Sequence, residues 1–439
     1  MKEAEERNIF RGINVPSNEI LNNCIHCGLC LPTCPTYALT NLERSSPRGR
    51  IRLIKSVVEK KLPISKEFIY EMDFCLDCQA CETACPAGIK YGSLVEAARA
   101  QIYQGKYGSK IEWLLKKILL SWMFAQHERL KFISRILRLY QRTGLQTITE
   151  NYGLLRAISK KLYALQSLAP KISNAFSSEM LAEIILPKTK VQYSVIFLSG
   201  CIMDVAFSDI NDDTIQLLLQ HGCKVIIPKG QRCCGSLQAH NGDIDGARES
   251  ARHNIELFSQ FDSDYLVMNS AGCGAFMKEY GELFADDPAM KEKAKFVSKR
   301  TRDITEFLTE IGFIQSGKKF STRYAGKRIT YHDACHLIHS QKISEQPREL
   351  IRSVPGIEFI ELPEAAWCCG SAGIYNITHF DSSMQFLKRK IENIRKVDPD
   401  IIVMGNPGCM LQLQYGLRNE GLEIELLHTA TFLRRVCEA

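Results

Sequence analysis

Eight cysteines stand in two runs of identical spacing. Cys24, Cys27, Cys30 and Cys34 are followed by Pro35, and Cys75, Cys78, Cys81 and Cys85 by Pro86, so both runs read C-x2-C-x2-C-x3-C-P. Three thiolates on one tight loop wrap three irons of a cubic [4Fe–4S] cluster, while the fourth, released by the proline after it, reaches away. A structural zinc ion takes four ligands in two pairs and explains neither the third cysteine nor the proline. Eight further cysteines follow a second rule. Cys201, Cys233, Cys234 and Cys273 recur as Cys335, Cys368, Cys369 and Cys409 at offsets of 134 to 136 residues, the fixed-period self-match of a tandem duplication. Four thiols converging per copy are candidate metal ligands, and a Cys-Cys-Gly turn lets backbone approach a metal group closely. The alternative is a reduced core thiol at each site. Cys223 and Cys437 have no counterpart and read as ordinary thiols. His332 and His336 flank Cys335, and His240 follows the first Cys-Cys-Gly. They could ligate metal, hydrogen-bond a quinone oxygen or relay protons; the alternative is a buried histidine satisfied by backbone.

The elements that must position these thiols are legible in the runs that precede them. VQYSVIFLSGC and KRITYHDAC, CKVIIPKGQRCC and IEFIELPEAAWCC, and SDYLVMNSAGC and PDIIVMGNPGC are apolar, β-branched stretches closed by cysteine. Stretches such as Asp212–Gln220 and Met384–Val397 between them read as helices. Strands alternating with helices predict parallel α/β sheets, whose ligands lie beyond the carboxyl ends of the strands. The cysteines of each copy are therefore expected at one crest.

The first two runs carry the bacterial ferredoxin pattern, in which the fourth cysteine serves the other cluster. Cys24, Cys27, Cys30 and Cys85 are assigned to one cluster and Cys75, Cys78, Cys81 and Cys34 to the second. Between them Arg48, Arg50 and Arg52 read either as cations that offset cluster charge or as an ordinary exposed helix start, and the helix-forming insert up to Tyr70 marks an α-helical ferredoxin.

The chain has 439 residues, 18 cysteines, and 56 Lys and Arg against 49 Asp and Glu, for a net charge of +7. Between residues 101 and 172, thirteen basic residues face three acidic ones. The surplus is local, and the same segment repeats Trp113, Leu114, Ile118, Trp122, Phe132, Ile136 and Leu139 mostly at three- and four-residue steps. Two or three amphipathic helices fit there, either packed on neighbouring domains or docked on an anionic membrane surface. No nucleic-acid reader motif accompanies the charge. No secretory signal opens MKEAEERNIF, so the chain is expected in the reducing cytosol. The apolar run from Ile111 to Ala125 is interrupted by Glu112, Lys116 and Lys117 and is too short to span a membrane. The expected architecture is α+β / α/β: an N-terminal α-helical ferredoxin domain (1–100), a basic helical linker (101–190), and two tandem α/β cysteine-rich modules with parallel sheets (191–325 and 326–439).

CIHCGLCLPTCPTY (24–37), SPRGRIRLIK (46–55), CLDCQACETACPAG (75–88), SAGCGAFMKEYG (270–281) and CCGSAGIYNITH (368–379) make the chain resemble, nearly end to end, the iron–sulfur subunits of glycolate oxidase (glycolate dehydrogenase). The resemblance implies an electron conduit peripheral on the cytoplasmic membrane: FAD-containing partner subunits take a hydride from a 2-hydroxy acid, and this chain passes single electrons onward to quinone. Subunits serving lactate and glycerol-3-phosphate dehydrogenases share the layout, and the cysteine-rich modules resemble those of heterodisulfide reductase. The fullest pattern of such modules ends in C-x-x-C, whereas here Ser270 and Asn406 replace the first thiol. That departure counts against a five-cysteine cluster and direct disulfide reduction. With no G-x-G-x-x-G after a strand and no P-loop, the chain carries no catalytic hydride site and no FAD of its own. Two [4Fe–4S] clusters are expected in the ferredoxin domain, and further clusters, zinc or nothing in the modules.

Overall fold

The structure is a computed structural model and describes residues 9–10, 15–314 and 320–437. Expectations that rest on the other residues, or on the side chains of Glu112, Arg156, Lys160 and Lys161, lie outside the described part. In the N-terminal region the two cysteine loops are held by three helices. Pro47–Val58 (α1) starts with proline at its first position and is capped by the Ser46 hydroxyl, which accepts from the Gly49 amide. Lys66–Asp73 (α2) is capped likewise by Ser65, and Tyr91–Gln104 (α3) follows the second loop. Ile51, Ile54, Val57, Phe68, Met72, Leu94, Val95 and Ala98 close a core behind the loops. Cys34 is the N-cap of the short helix Pro35–Thr40, so the proline turns the fourth cysteine out of its own loop.

The basic segment is more broken than its periodicity suggests. Lys110–Lys116 (α4) continues as a π-helical stretch, Lys117–Phe124, followed by His127–Arg142 (α5), Leu145–Asn151 (α6), Leu154–Ile158 (α7) and Lys160–Leu168 (α8). In place of two or three helices there are these shorter pieces, because Gly144 and Gly153 take left-handed φ of 78° and 61° and Ser159 is extended. One face packs, with Leu120, Phe124 and Leu130 buried, and Phe124 and Leu130 joining the core of the first module. The other does not: Leu114, Leu115, Ile118, Trp122, Phe132, Ile136 and Leu139 are all exposed.

The C-terminal region carries two sheets. The first has the order β1-β3-β2-β4-β5, from Ile184–Ile185 (β1), Tyr193–Phe197 (β2), Cys223–Ile226 (β3), Tyr265–Met268 (β4) and Thr301–Asp303 (β5). The second has the order β7-β6-β8-β9, from Arg328–Tyr331 (β6), Glu358–Phe359 (β7), Ile401–Met404 (β8) and Glu425–His428 (β9). All neighbours are parallel except β1, which runs antiparallel on β3 and comes from the segment expected to be linker. The expected helices are Ser208–Gln220 (α9) and Phe380–Val397 (α10). The two sheets share one core, in which Val195, Phe197 and Val267 meet Ile329, Tyr331 and Val403. Their crests are stitched by Ala271 N–H to Gly405 O at 3.1 Å and by His428 Nε2 to Asn269 O at 2.8 Å.

Candidate metal centres

Each N-terminal loop leaves a small cavity lined by sulfur. Cys24, Cys27, Cys30 and Cys85 line one, with Cys81 at its edge. Cys34, Cys75, Cys78 and Cys81 line the other. Four soft donors around each void suit an iron–sulfur cluster and exclude hard cations. Burial pushes the thiols of Cys78 and Cys81 well up, Cys78 further by the neighbouring Cys335, so holding them as thiolates takes a bound metal. Donors to sulfur are in place: Tyr91 Oη and the Asp77 amide reach Cys75 Sγ at 3.5 and 3.4 Å, while Thr36 Oγ1, which donates to Ser45 O, lies 3.3 Å from Cys34 Sγ. Of the three arginines between the loops, Arg50 is fully buried and donates to Glu71 O, Thr36 Oγ1 and Ser45 O. Arg48 pairs with Glu43 and reaches His26 O. Arg52 is exposed, as an ordinary helix residue would be.

In the modules the thiols stand beyond the carboxyl ends of the strands, as parallel-sheet topology requires. Contacts link Cys201, Cys233, Cys234 and Cys273 in the first copy and Cys335, Cys368, Cys369 and Cys409 in the second. The glycine of each Cys-Cys-Gly serves a different purpose from the one its sequence suggests. Gly235 and Gly370 have φ of 97° and 90°, and a Cβ would meet Ala247 O at 3.0 Å and Ser383 O at 2.6 Å. The close approach is to the helix behind the thiols. Asn406, which stands where the fullest pattern has a further thiol, donates to Cys409 Sγ at 3.5 Å. Cys223 and Cys437 are buried away from these sets.

The histidines separate. His332 is 1% exposed and joins the second module, where one of its ring nitrogens and the sulfurs of Cys369 and Cys409 lie within 4.8 Å of one another. His240 and His336 instead line a cavity of about 990 Å³ between the ferredoxin region, the basic helices and both modules. Their rings are 4.9 Å apart. His336 Nδ1 lies 3.8 Å from Cys335 Sγ, and His240 Nδ1 lies 2.5 Å from Glu96 and 3.2 Å from Asp77. Burial opposes charge on His240, but Glu96 and Asp77 outweigh it and hold the ring well above its usual range. Glu279, half-buried, is pushed up to about 8 by desolvation and then by the nearby Glu96. Cys75, Asp77 and Arg99 also line the cavity, with the Lys116–Asp73 ion pair and the apolar Ile64, Ile69, Leu115, Leu119, Leu165, Ile374 and Ile377. Asp77, Glu96 and Arg99 were missed in the sequence. Only Asp77, inside C-x-x-C with φ of 51°, sat where a motif reading looks.

Residues 20–89 match the model of a 4Fe-4S dicluster domain, residues 195–278 and 329–414 a cysteine-rich domain, and residues 112–169 the linker region of a glycolate oxidase iron-sulfur subunit. A probable glycolate oxidase iron-sulfur subunit of Bacillus subtilis is 37% identical over 94% of this chain and 93% of its own length. The chain belongs to the glycolate oxidase iron-sulfur subunit family. The subunit from Escherichia coli is 29% identical over 90% of each chain, and lactate utilization protein A of Oceanobacillus iheyensis is 30% identical over 53% of this chain and 93% of its own. As a member of the glycolate oxidase iron-sulfur subunit family, the chain is an iron–sulfur component of an oxidoreductase, with the mixed α/β fold and duplicated cysteine-rich domain expected. Among the described residues no helix is long and apolar enough to cross a membrane.

Proposed function

We propose that the chain conducts single electrons from FAD-containing partner subunits, which oxidise glycolate, to a membrane quinone. Cys24, Cys27, Cys30 and Cys85 hold one [4Fe–4S] cluster and Cys75, Cys78, Cys81 and Cys34 the second. The thiols of each module hold a further metal centre. Such groups accept one electron at a time, which the two-electron hydride of a 2-hydroxy acid demands downstream of a flavin. One observation carries this reading: Cys78 packs in a single cluster with Cys335 and Cys368, so the second ferredoxin set abuts the second module with no intervening layer. Burial and hydrogen bonds to sulfur are the levers by which the chain tunes its centres.

The cavity beside Cys75 supports the quinone reading, since isoleucine and leucine side chains line it together with the imidazoles of His240 and His336, which can donate to a carbonyl. The exposed apolar and basic face of the linker supports peripheral docking on an anionic cytoplasmic membrane, which the cavity wall residues Leu115 and Leu119 adjoin in sequence. The test is anaerobic purification with the flavoprotein partners. Adding glycolate is expected to bleach the iron–sulfur absorbance, and Ile377→Trp, which narrows the cavity, is expected to leave bleaching intact while slowing quinone reduction. Bleaching by D-lactate and not glycolate would move the assignment to a lactate dehydrogenase. No bleaching by either would end it.

A further inference from the structure

We infer that His332 is a ligand of the metal centre in the second module, which makes the two modules chemically unequal. The inference rests on the reading that this module holds a metal, and adds which atoms bind it. His332 and Leu198 occupy the same place in the two copies: each directly follows the strand that leads to the first thiol, and their amides make the same bond, Leu198 N–H to Val267 O at 3.1 Å and His332 N–H to Val403 O at 3.0 Å. In the first copy the position is a core leucine, 2% exposed, so the site has four thiols and no nitrogen from this position. In the second it is an imidazole, 1% exposed, neither of whose ring nitrogens finds a hydrogen-bonding oxygen or nitrogen among the described residues. The ring meets the thiol of Cys369, a weak hydrogen-bonding group, where a core needing only bulk keeps leucine, as the first copy does.

What faces His332 instead is sulfur. One ring nitrogen and the sulfurs of Cys369 and Cys409 lie within 4.8 Å of one another, all buried, and Cys335 and Cys368 complete a set of five donors. A neutral imidazole among thiolates suits iron in a cluster and zinc alike. A second difference agrees. Lys390, fully buried on α10, donates to Ala365 O at 3.1 Å and stands within electrostatic reach of Cys369 and Cys368, whereas the matching Asn254 of the first copy is neutral and donates to Arg232 O and Cys233 O. The second site is therefore built for a centre that differs from the first in both donor type and surrounding charge.

The test uses the full chain purified anaerobically, with His332→Leu, which restores the residue of the first copy, and His332→Cys, which keeps a donor. Iron and zinc are counted per chain, and nitrogen bonded to metal is read by pulsed electron paramagnetic resonance for iron or by X-ray absorption for zinc. Directly bonded nitrogen is expected in the wild type and absent from both variants. His332→Leu is expected to lose about four iron or one zinc, while His332→Cys retains the metal and shows sulfur in place of nitrogen. Nitrogen coordination that persists in His332→Leu, or a metal-loaded second module with no nitrogen in the wild type, overturns the inference and leaves the metal reading standing. If Cys368→Ser and Cys369→Ser lose no metal, the metal reading itself falls and the inference with it.

Discussion

At the scale of the residue, the chain uses buried charge and left-handed backbone where its thiols must be held. Arg50 is wholly buried, lies 3.6 Å from Glu71 and stands close enough to Cys34 and Cys75 that their thiolates favour its charge. Replacing it by methionine leaves Glu71 in a buried site with fewer partners, and removing one member of a buried pair costs about 3 kcal/mol. It also removes a cation that favours the reduced, more negative cluster. Arg50→Met is thus expected to unfold at lower denaturant and to move the second-run cluster to a lower potential in a spectroscopic redox titration. An unchanged potential would show that the guanidinium only packs. Gly370→Ala is the backbone counterpart. With φ of 90° and Ser383 O only 2.6 Å from where a Cβ would stand, the substitution is expected to cost about 2 kcal/mol and to displace Cys368 and Cys369, read as metal lost from one module by elemental analysis. The cysteines were legible in the sequence because ligand spacing is local. His332 was legible only as one of three histidines, since its role depends on β6 and β8 being neighbours, and Glu96 carried no signal because its partner His240 arrives from an element 144 residues away.

At the scale of the element, the seam between the modules is expected to weaken in acid. His428 caps the helix Thr429–Val436, accepting from Ala430 N–H at Nδ1 and donating from Nε2 to Asn269 O, at the end of β4 in the other sheet. Burial pulls it down to about 4, against the opposing pull of that carbonyl. A histidine lowered in the folded state contributes stability that is present above its ordinary value near 6.5 and lost as pH falls from there toward 4, up to about 3 kcal/mol over that interval. His428→Gln can keep the bond to Asn269 but cannot take up a proton, so its unfolding free energy is expected to vary less between pH 7 and 5 than that of the wild type. Parallel slopes for the two would remove His428 from the account. The linker makes a second case. Its periodicity revealed the apolar residues but not which of two apolar faces packs, because Phe124 and Leu130 find their neighbours only once the first module has folded. Phe132, Ile136 and Leu139, 55–63% exposed, are expected to carry membrane docking. Changing all three to serine should abolish sedimentation with anionic vesicles and spare the unfolding midpoint, whereas binding retained in the triple variant would assign the face to a protein partner.

At the scale of the whole molecule, duplication explains both why the fold could be read and why its function divides. The same offset that exposes two modules in the sequence places both thiol sets at strand ends, yet it is the second set that packs on the ferredoxin region, through Cys78, Cys335 and Cys368. The first set lies instead under the linker, where His127 Nε2 meets the buried Asp204 at 2.7 Å and Gln238 reaches Leu120 O. One copy therefore stands on the proposed electron path and its twin beside the linker helices, an asymmetry that no repeat detected by self-similarity could announce. Cofactor content is the measurement that distinguishes the copies. Two ferredoxin clusters alone give about eight iron per chain, and one or two loaded modules raise that to about twelve or sixteen. Cys233→Ser with Cys234→Ser and Cys368→Ser with Cys369→Ser are expected to remove separate portions of the total, and only the second pair is expected to slow electron flow from the ferredoxin clusters to quinone. The chain alone is expected to contain no stoichiometric flavin. Equal effects of the two pairs on electron flow would mean that the path runs through both modules and that contact with Cys78 does not select one.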